Sequence, residues 1–277
     1  MSEMTETIED IRRRLEDGVL WITLNRPDAG NAMTVSMRNE IMDWLGDASG
    51  DASIRAVVLT AQGEKGFCTG ADIRSGRTPL PPKPPGAPER IIGDGARIIR
   101  NGWQRLIASI QDCEKPVIAG VNATAAGGGM HLALACDLVI MAEEARFISV
   151  FIRRGIAPDA GGAYLLTRLV GPQKAKELFF FGDDIPAAEA ERIGLVNKVV
   201  PRAELDKTLG EWAGRLAKAP TRAIGFTKWL TNRSLETDRA GSFWDEAYAQ
   251  ELVSSTEDAS EGMASFVERR PPEFKGW

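Results

Sequence analysis

The sequence predicts an α/β chain in which strands and helices alternate up to about residue 202 and helices alone follow. Three observations predict it. The β-branched runs Val57-Val58-Leu59-Thr60 and Val117-Ile118-Ala119-Gly120-Val121 read as buried strands. Each is followed by a glycine-rich segment, Gly66–Ile73 after the first and Ala125–His131 after the second. From Ala203 onward apolar residues recur at helical spacing: Leu205, Leu209, Trp212 and Leu216, then Phe226, Trp229 and Leu230, then Phe243, Ala247 and Leu252.

The elements follow in chain order. Val19–Leu24 reads as a strand stopped by Pro27. A helix is expected from near Thr34, with Met37, Ile41, Trp44 and Leu45 on its apolar face. The strand Arg55–Thr60 feeds the first glycine segment. Residues 75–93 carry Pro79, Pro81, Pro82, Pro84, Pro85 and Pro88, which leave too few backbone donors for regular structure and mark a loop or lid. A helix over Asp94–Cys113, a strand opened by Pro116, a short helix over Met130–Ala135 and a strand over Asp137–Ala142 complete this half. The division expected is 1–202 and 203–277, the second part a helical region whose aromatics need burial against another subunit.

Composition narrows the function. A net charge of −5 gives no reason to expect nucleic-acid binding. The cysteines Cys68, Cys113 and Cys136 have no metal-ligand spacing and suit a reducing cytoplasm. No apolar run approaches a membrane span, and the acidic start is unlike a leader peptide. No GxGxxG follows a strand, so a dinucleotide fold has little support.

Small residues after a strand let backbone N–H groups point into a cleft. One donor from each glycine segment, gripping the same carbonyl oxygen, would stabilise an oxyanion or enolate. The alternative is that both segments are only tight turns. The single histidine, His131, lies just past the second segment.

Read together, the segments resemble the crotonase (enoyl-CoA hydratase/isomerase) superfamily. Asn25-Arg26-Pro27 with Asn31-Ala32-Met33, Phe67–Ile73, Ala126-Gly127-Gly128-Gly129 with Leu132 and Cys136-Asp137, Phe147 with Gly155–Pro158 and Gly161-Gly162, Gly194–Val200, and the tail Glu261–Gly276 match its pattern in order. The resemblance implies a spiral of ββα turns with C-terminal helices that mediate a trimer or a dimer of trimers. It implies an acyl-CoA substrate, no cofactor beyond that coenzyme A, and oxyanion donors at the N–H groups of Ala71 and Gly128. Arg26, Ala32, Thr69, Gly70, Asp72, Ile73, Arg74, Gly127 and Phe151 are the expected substrate and CoA contacts, with Phe266 and Lys275 reaching from a neighbouring helical region.

The chain departs from the pattern where the familiar hydratases carry two glutamates: His131 and Phe151 stand there. Asp159 stands where those hydratases usually have glycine, a place where isomerase and hydrolase branches keep a working carboxylate. The expected acid/base pair is therefore His131 with Asp159, His131 as main base or acid and Asp159 assisting, orienting or replacing it. Asp159 also reads as an N-cap for a helix starting near Ala160. Arg153 and Arg154 are open between Asp159, an acidic acyl group and water. The function expected is enoyl-CoA hydratase, cytoplasmic and homo-oligomeric. The alternatives are an enoyl-CoA isomerase using Asp159, a thioester or β-diketone hydrolase, and a non-catalytic acyl-CoA-binding protein.

Overall fold

The computed structural model describes residues 4–74, 80 and 82–277, with side chains from residue 9 onward. In chain order it has β1 (Met4–Ile8), β2 (Ile11–Glu16), β3 (Val19–Leu24), α1 (Val35–Gly50), β4 (Ala56–Ala61), β5 (Gly66–Cys68), α2 (Asp94–Ile99), α3 (Arg105–Asp112), β6 (Val117–Val121), β7 (Thr124–Ala126) and α4 (Gly128–Leu134). Then come β8 (Leu138–Ala142), β9 (Arg146–Ile148), α5 (Gly162–Phe181), β10 (Asp184–Pro186), α6 (Ala187–Arg192), β11 (Lys198–Val200), α7 (Arg202–Ala217), α8 (Thr221–Ser234), α9 (Arg239–Ser254) and α10 (Glu257–Glu268).

The strands form two sheets. Seven run in the order β1-β2-β3-β4-β6-β8-β11 and four in the order β10-β9-β7-β5. Successive strand pairs β4/β5, β6/β7 and β8/β9 each place one strand in each sheet, and helices close each turn. That is the expected spiral of ββα turns. β4, β6, β8 and β11 are parallel, and β4 and β6 are buried on both faces, which is why those two read as continuous apolar runs. The sequence reading did not include the antiparallel β1/β2 hairpin. Its charged residues, Arg12, Arg13 and Arg14 among them, suit a strand near a sheet edge and hide the alternation.

α1 starts as expected: Thr34 Oγ1 accepts from the Met37 N–H at 3.2 Å, a cap worth ~1 kcal/mol. Its buried face is Met37, Ile41, Trp44, Leu45 and Ala48. The helix expected over 94–113 is interrupted. Arg100–Gln104 forms a π-helical turn in which Gly102 leaves helical geometry (φ −100°, ψ −107°). Such turns re-aim side chains and cluster at functional sites. Residues 82–93 form no helix or strand, in keeping with the proline-rich loop, whereas Pro79 and Pro81 lie outside the described residues.

Four helices follow β11, in line with the periodicity from Ala203. The first, α7, covers the large sheet: Leu205, Leu209, Ala213 and Ala217 are buried, and a β-carbon at Gly120 of β6 would lie 2.4 Å from Leu209. α8–α10 expose a broad apolar surface, including Phe243, Trp244, Tyr248, Phe266 and Val267. Among the described residues, no helix is long and apolar enough to cross a membrane.

Candidate active site

The two glycine segments meet. Gly70 has φ +94°, a conformation that favours glycine, and a β-carbon there would lie 3.3 Å from the Ala126 carbonyl oxygen and 3.7 Å from the Gly128 nitrogen. Gly129 is packed closer still, its imaginary β-carbon 1.9 Å from the Cys68 carbonyl oxygen. No side chain larger than hydrogen lets these walls approach.

Neither proposed amide is spent on the fold. Ala71 forms a bridge with Met33, but the hydrogen bonds belong to its neighbours: the Met33 N–H donates to Gly70 O (2.8 Å) and the Asp72 N–H donates to Met33 O (3.0 Å). The Ala71 N–H is left pointing to the other side. Gly128 is the first residue of α4, where N–H groups have no intrahelical acceptor. Gly127, with φ +54°, donates instead to Ile148 O at 2.9 Å. Among the described residues, no backbone acceptor takes either amide. The dipole of α4 adds positive potential at Gly128.

The wall opposite Gly128 is Trp103, which the sequence reading did not single out. A β-carbon at Gly128 would lie 2.9 Å from the Trp103 ring. The only sequence signal was Gly102-Trp103 inside an otherwise helical pattern. One turn on, Ile107 lies 3.2 Å from where a β-carbon of Gly161 would be. The π-helical turn therefore faces the second glycine segment, and the start of α3 faces the turn that carries Asp159.

His131 is buried completely. Its ring stacks on Phe151 (centroids 5.3 Å apart, planes 8° apart) and meets the edge of Phe179 at 6.5 Å. It lies directly beneath Gly162, whose β-carbon would sit 2.0 Å from the ring. Neither ring nitrogen has a hydrogen-bond partner among the described residues. The Asp159 carbonyl lies near enough to favour the charged ring slightly, but not in hydrogen-bonding geometry. Burial dominates and pulls the imidazole down to about 4, so the ring is neutral at pH 7.

Asp159 is half-buried, and burial raises its carboxyl above the ordinary value. Among the described residues, its side chain has no cation or side-chain donor. Two expectations are corrected here. Asp159 does not cap the following helix: α5 begins after Gly161 with no side-chain cap, and only the Asp159 carbonyl takes part, accepting from the Gly162 N–H (3.0 Å). Nor are the His131 and Asp159 side chains hydrogen-bonded: the histidine ring packs against aromatic rings and neither of its nitrogens has a partner among the described residues. The turn is strained, with Ala160 at φ +52° ahead of Gly161 at φ +71°. Strain of this kind concentrates where a side chain must be aimed. Arg153 pairs with Asp184 at 3.0 Å rather than with Asp159.

The remaining expected contacts fall into two groups. Arg26 braces the site: its Nη1 donates to Ala32 O and to Asp72, both at 2.8 Å. Buried Asn31 accepts from the Arg26 N–H (2.7 Å) and donates to Gln62 O (2.9 Å) and Gly66 O (2.6 Å), pinning this segment to β5. Asp72 also accepts from the Arg74 N–H (3.0 Å). Thr69, Ile73 and the Arg74 side chain are exposed at the rim. Phe151 is buried beside Gly127. Phe266 and Lys275 are not brought to this site. Arg55, at the N-terminal end of β4, donates to Ala219 O (2.7 Å) and Phe274 O (3.1 Å), which ties the tail there. The site lies beyond the far end of β4, about 20 Å of strand away.

Cys68 is buried and its thiol pushed up to about 12, which suits packing and not nucleophilic attack. A cavity of about 1120 Å³ opens between α3, α5, α8 and α9, lined by Gln104, Tyr164 and Trp229 among others. It shares Gly161 with the turn after Asp159 but is not the chemical centre, since Ala71, Gly128, His131 and Asp159 do not line it.

A ββα spiral in which two glycine segments meet defines a protein of the crotonase class. Residues 14–277 match the family model described as enoyl-CoA hydratase/isomerase, and the chain belongs to that family of enzymes. It is 36% identical over 266 residues to the crotonyl-CoA hydratase of Syntrophomonas wolfei, covering 96% of this chain and 98% of that one. It is 34% identical over 271 residues to the 1,2-epoxyphenylacetyl-CoA isomerase of Escherichia coli, covering 97% and 99%. Among solved structures, the enoyl-CoA hydratase of Bacillus anthracis superposes over the whole of both chains with a TM-score of 0.84 at 31% identity.

Proposed function

We propose that the protein shifts the double bond of an enoyl-CoA, using Asp159 as a single proton carrier. The amides of Ala71 and Gly128 hold the thioester oxygen. The Asp159 carboxylate removes a proton from Cα of a 3-enoyl thioester, and the resulting dienolate keeps its negative charge on the oxygen between the two amides. The carboxylic acid so formed returns the proton to Cγ, giving the 2-enoyl thioester. No atom is gained or lost.

The observation that carries this reading is that Asp159 is a half-buried carboxylate without a counter-ion among the described residues, while the two positions of the familiar glutamates hold His131 and Phe151 stacked on one another. A raised carboxyl favours proton exchange with a weak carbon acid. His131, neutral and enclosed beneath the Asp159 turn, acts as a positioning residue. One observation favours a second reading, hydration of a 2-enoyl-CoA: both His131 nitrogens lack partners, and a neutral imidazole can hold a water. Incubation with 3-enoyl- and 2-enoyl-CoA, followed by proton NMR for the double-bond position and mass spectrometry for water uptake, separates the two. Migration without mass gain supports isomerisation, uptake of one water replaces it with hydration, and an inert mixture removes both. We also read the exposed faces of α8–α10, with Phe266 and Lys275 far from their own site, as contacts to a second copy in a homo-oligomer.

A further inference from the structure

Arg38 is a charged residue that neither the fold nor the reaction explains. It sits in the first turn of α1, beside buried Met37, and is itself half-buried. Its Nε is enclosed and has no hydrogen-bond partner. Among the described residues, its guanidinium meets no carboxylate, and the first turn of α1 holds no acid. A cation there also faces the positive end of a sixteen-residue helix dipole. Both effects disfavour the charge, and an arginine does not shed its proton. A half-buried cation with an enclosed, unpartnered Nε is stabilised when an anion is delivered to it.

Its position says where that anion comes from. A β-carbon at Gly102 would lie 2.5 Å from Arg38 Nη1, so the guanidinium rests on the π-helical turn. The next residue, Trp103, carries its ring to Gly128. The distance from the oxyanion amide to the guanidinium is therefore one indole side chain and one peptide unit. An acyl chain that ran along Trp103 from a thioester held at Gly128 would end near Arg38.

We infer that Arg38 is a specificity determinant that receives a carboxylate at the far end of the acyl chain, so that the preferred substrate is the CoA thioester of an unsaturated dicarboxylic acid. This rests on the acyl-CoA reading above. A guanidinium and a carboxylate form paired charge-assisted hydrogen bonds, which a methyl terminus cannot replace.

The test uses the full-length protein and matched pairs of enoyl-CoA thioesters, five to eight carbons long, ending in either a carboxylate or a methyl group. The expected wild-type kcat/KM favours the carboxylate member at one chain length by at least ~10-fold. In Arg38→Met that preference falls by ~30-fold, carried by KM, and Arg38→Lys restores part of it. Equal wild-type rates for both members at every length, with turnover intact, overturn the assignment and leave the proposed reaction standing. So does a preference unchanged in Arg38→Met. Failure of the wild type to bind or turn over any enoyl-CoA overturns the assignment together with the reading beneath it.

Discussion

Replacing His131 by methionine tests the burial of the imidazole through a quantity independent of catalysis. The ring is fully enclosed, and its pKa falls from 6.5 to about 4 on folding. Between those values the unfolded chain binds a proton that the folded chain does not. Stability is therefore fully present above pH 6.5 and is lost as the pH falls toward 4. The gap, 6.5 minus 4, is 2.5 pH units. Between pH 7.5 and 4.5 this amounts to about 2.5 kcal/mol from one residue. Methionine fills irregular apolar space and does not titrate. Urea unfolding of both proteins at the two pH values, at equal protomer concentration, gives the measurement. The wild type loses about 2.5 kcal/mol more than His131→Met on acidification. Losses that agree within ~0.5 kcal/mol would mean that the ring is solvated or charged in the folded chain, and the positioning role assigned to it would fail.

Asp159→Asn lowers kcat by at least ~10²-fold and at the same time raises the melting temperature at pH 7. The folded carboxyl is raised, so its charged form costs stability above that pKa, and an uncharged amide removes the cost. A loss of both activity and stability would contradict it. The pH profile of kcat/KM has an acid limb above the ordinary aspartate value, because the base form must be present, and the limb disappears in Asp159→Asn; an unmoved limb would assign it to another group. Gly129→Ala places a methyl against the Cys68 carbonyl, 1.9 Å away, and destabilises the chain by ~3 kcal/mol or more in urea unfolding. A variant as stable as the wild type would show that the two walls are not in contact.

Much of this was legible in the chain. Strands β4 and β6 are buried on both faces and announced themselves as unbroken apolar runs, and Gly66, Gly70 and Gly129 are required by backbone approach. Thr34 and the α1 face followed from short-range rules. What was not legible depends on partners distant in sequence. The charge-rich β1/β2 hairpin is specified by pairing with β3 rather than by its own pattern. Trp103 became part of the site because Gly102 breaks a helix and turns the ring toward Gly128. His131 looked like a base because it follows the glycines, but its chemistry is set by Phe151, Phe179 and Gly162 closing around it. The side-chain cap proposed for Asp159 failed because two left-handed residues, Ala160 and Gly161, separate it from α5.

The central claim is that the Ala71 and Gly128 amides share one thioester oxygen. The direct measurement is the carbon NMR shift of a saturated acyl-CoA labelled at the thioester carbonyl, recorded free and bound. Two hydrogen bonds polarise the carbonyl, and the account predicts a clear downfield displacement on binding. A bound ligand whose carbonyl resonance stays at its free position would contradict it.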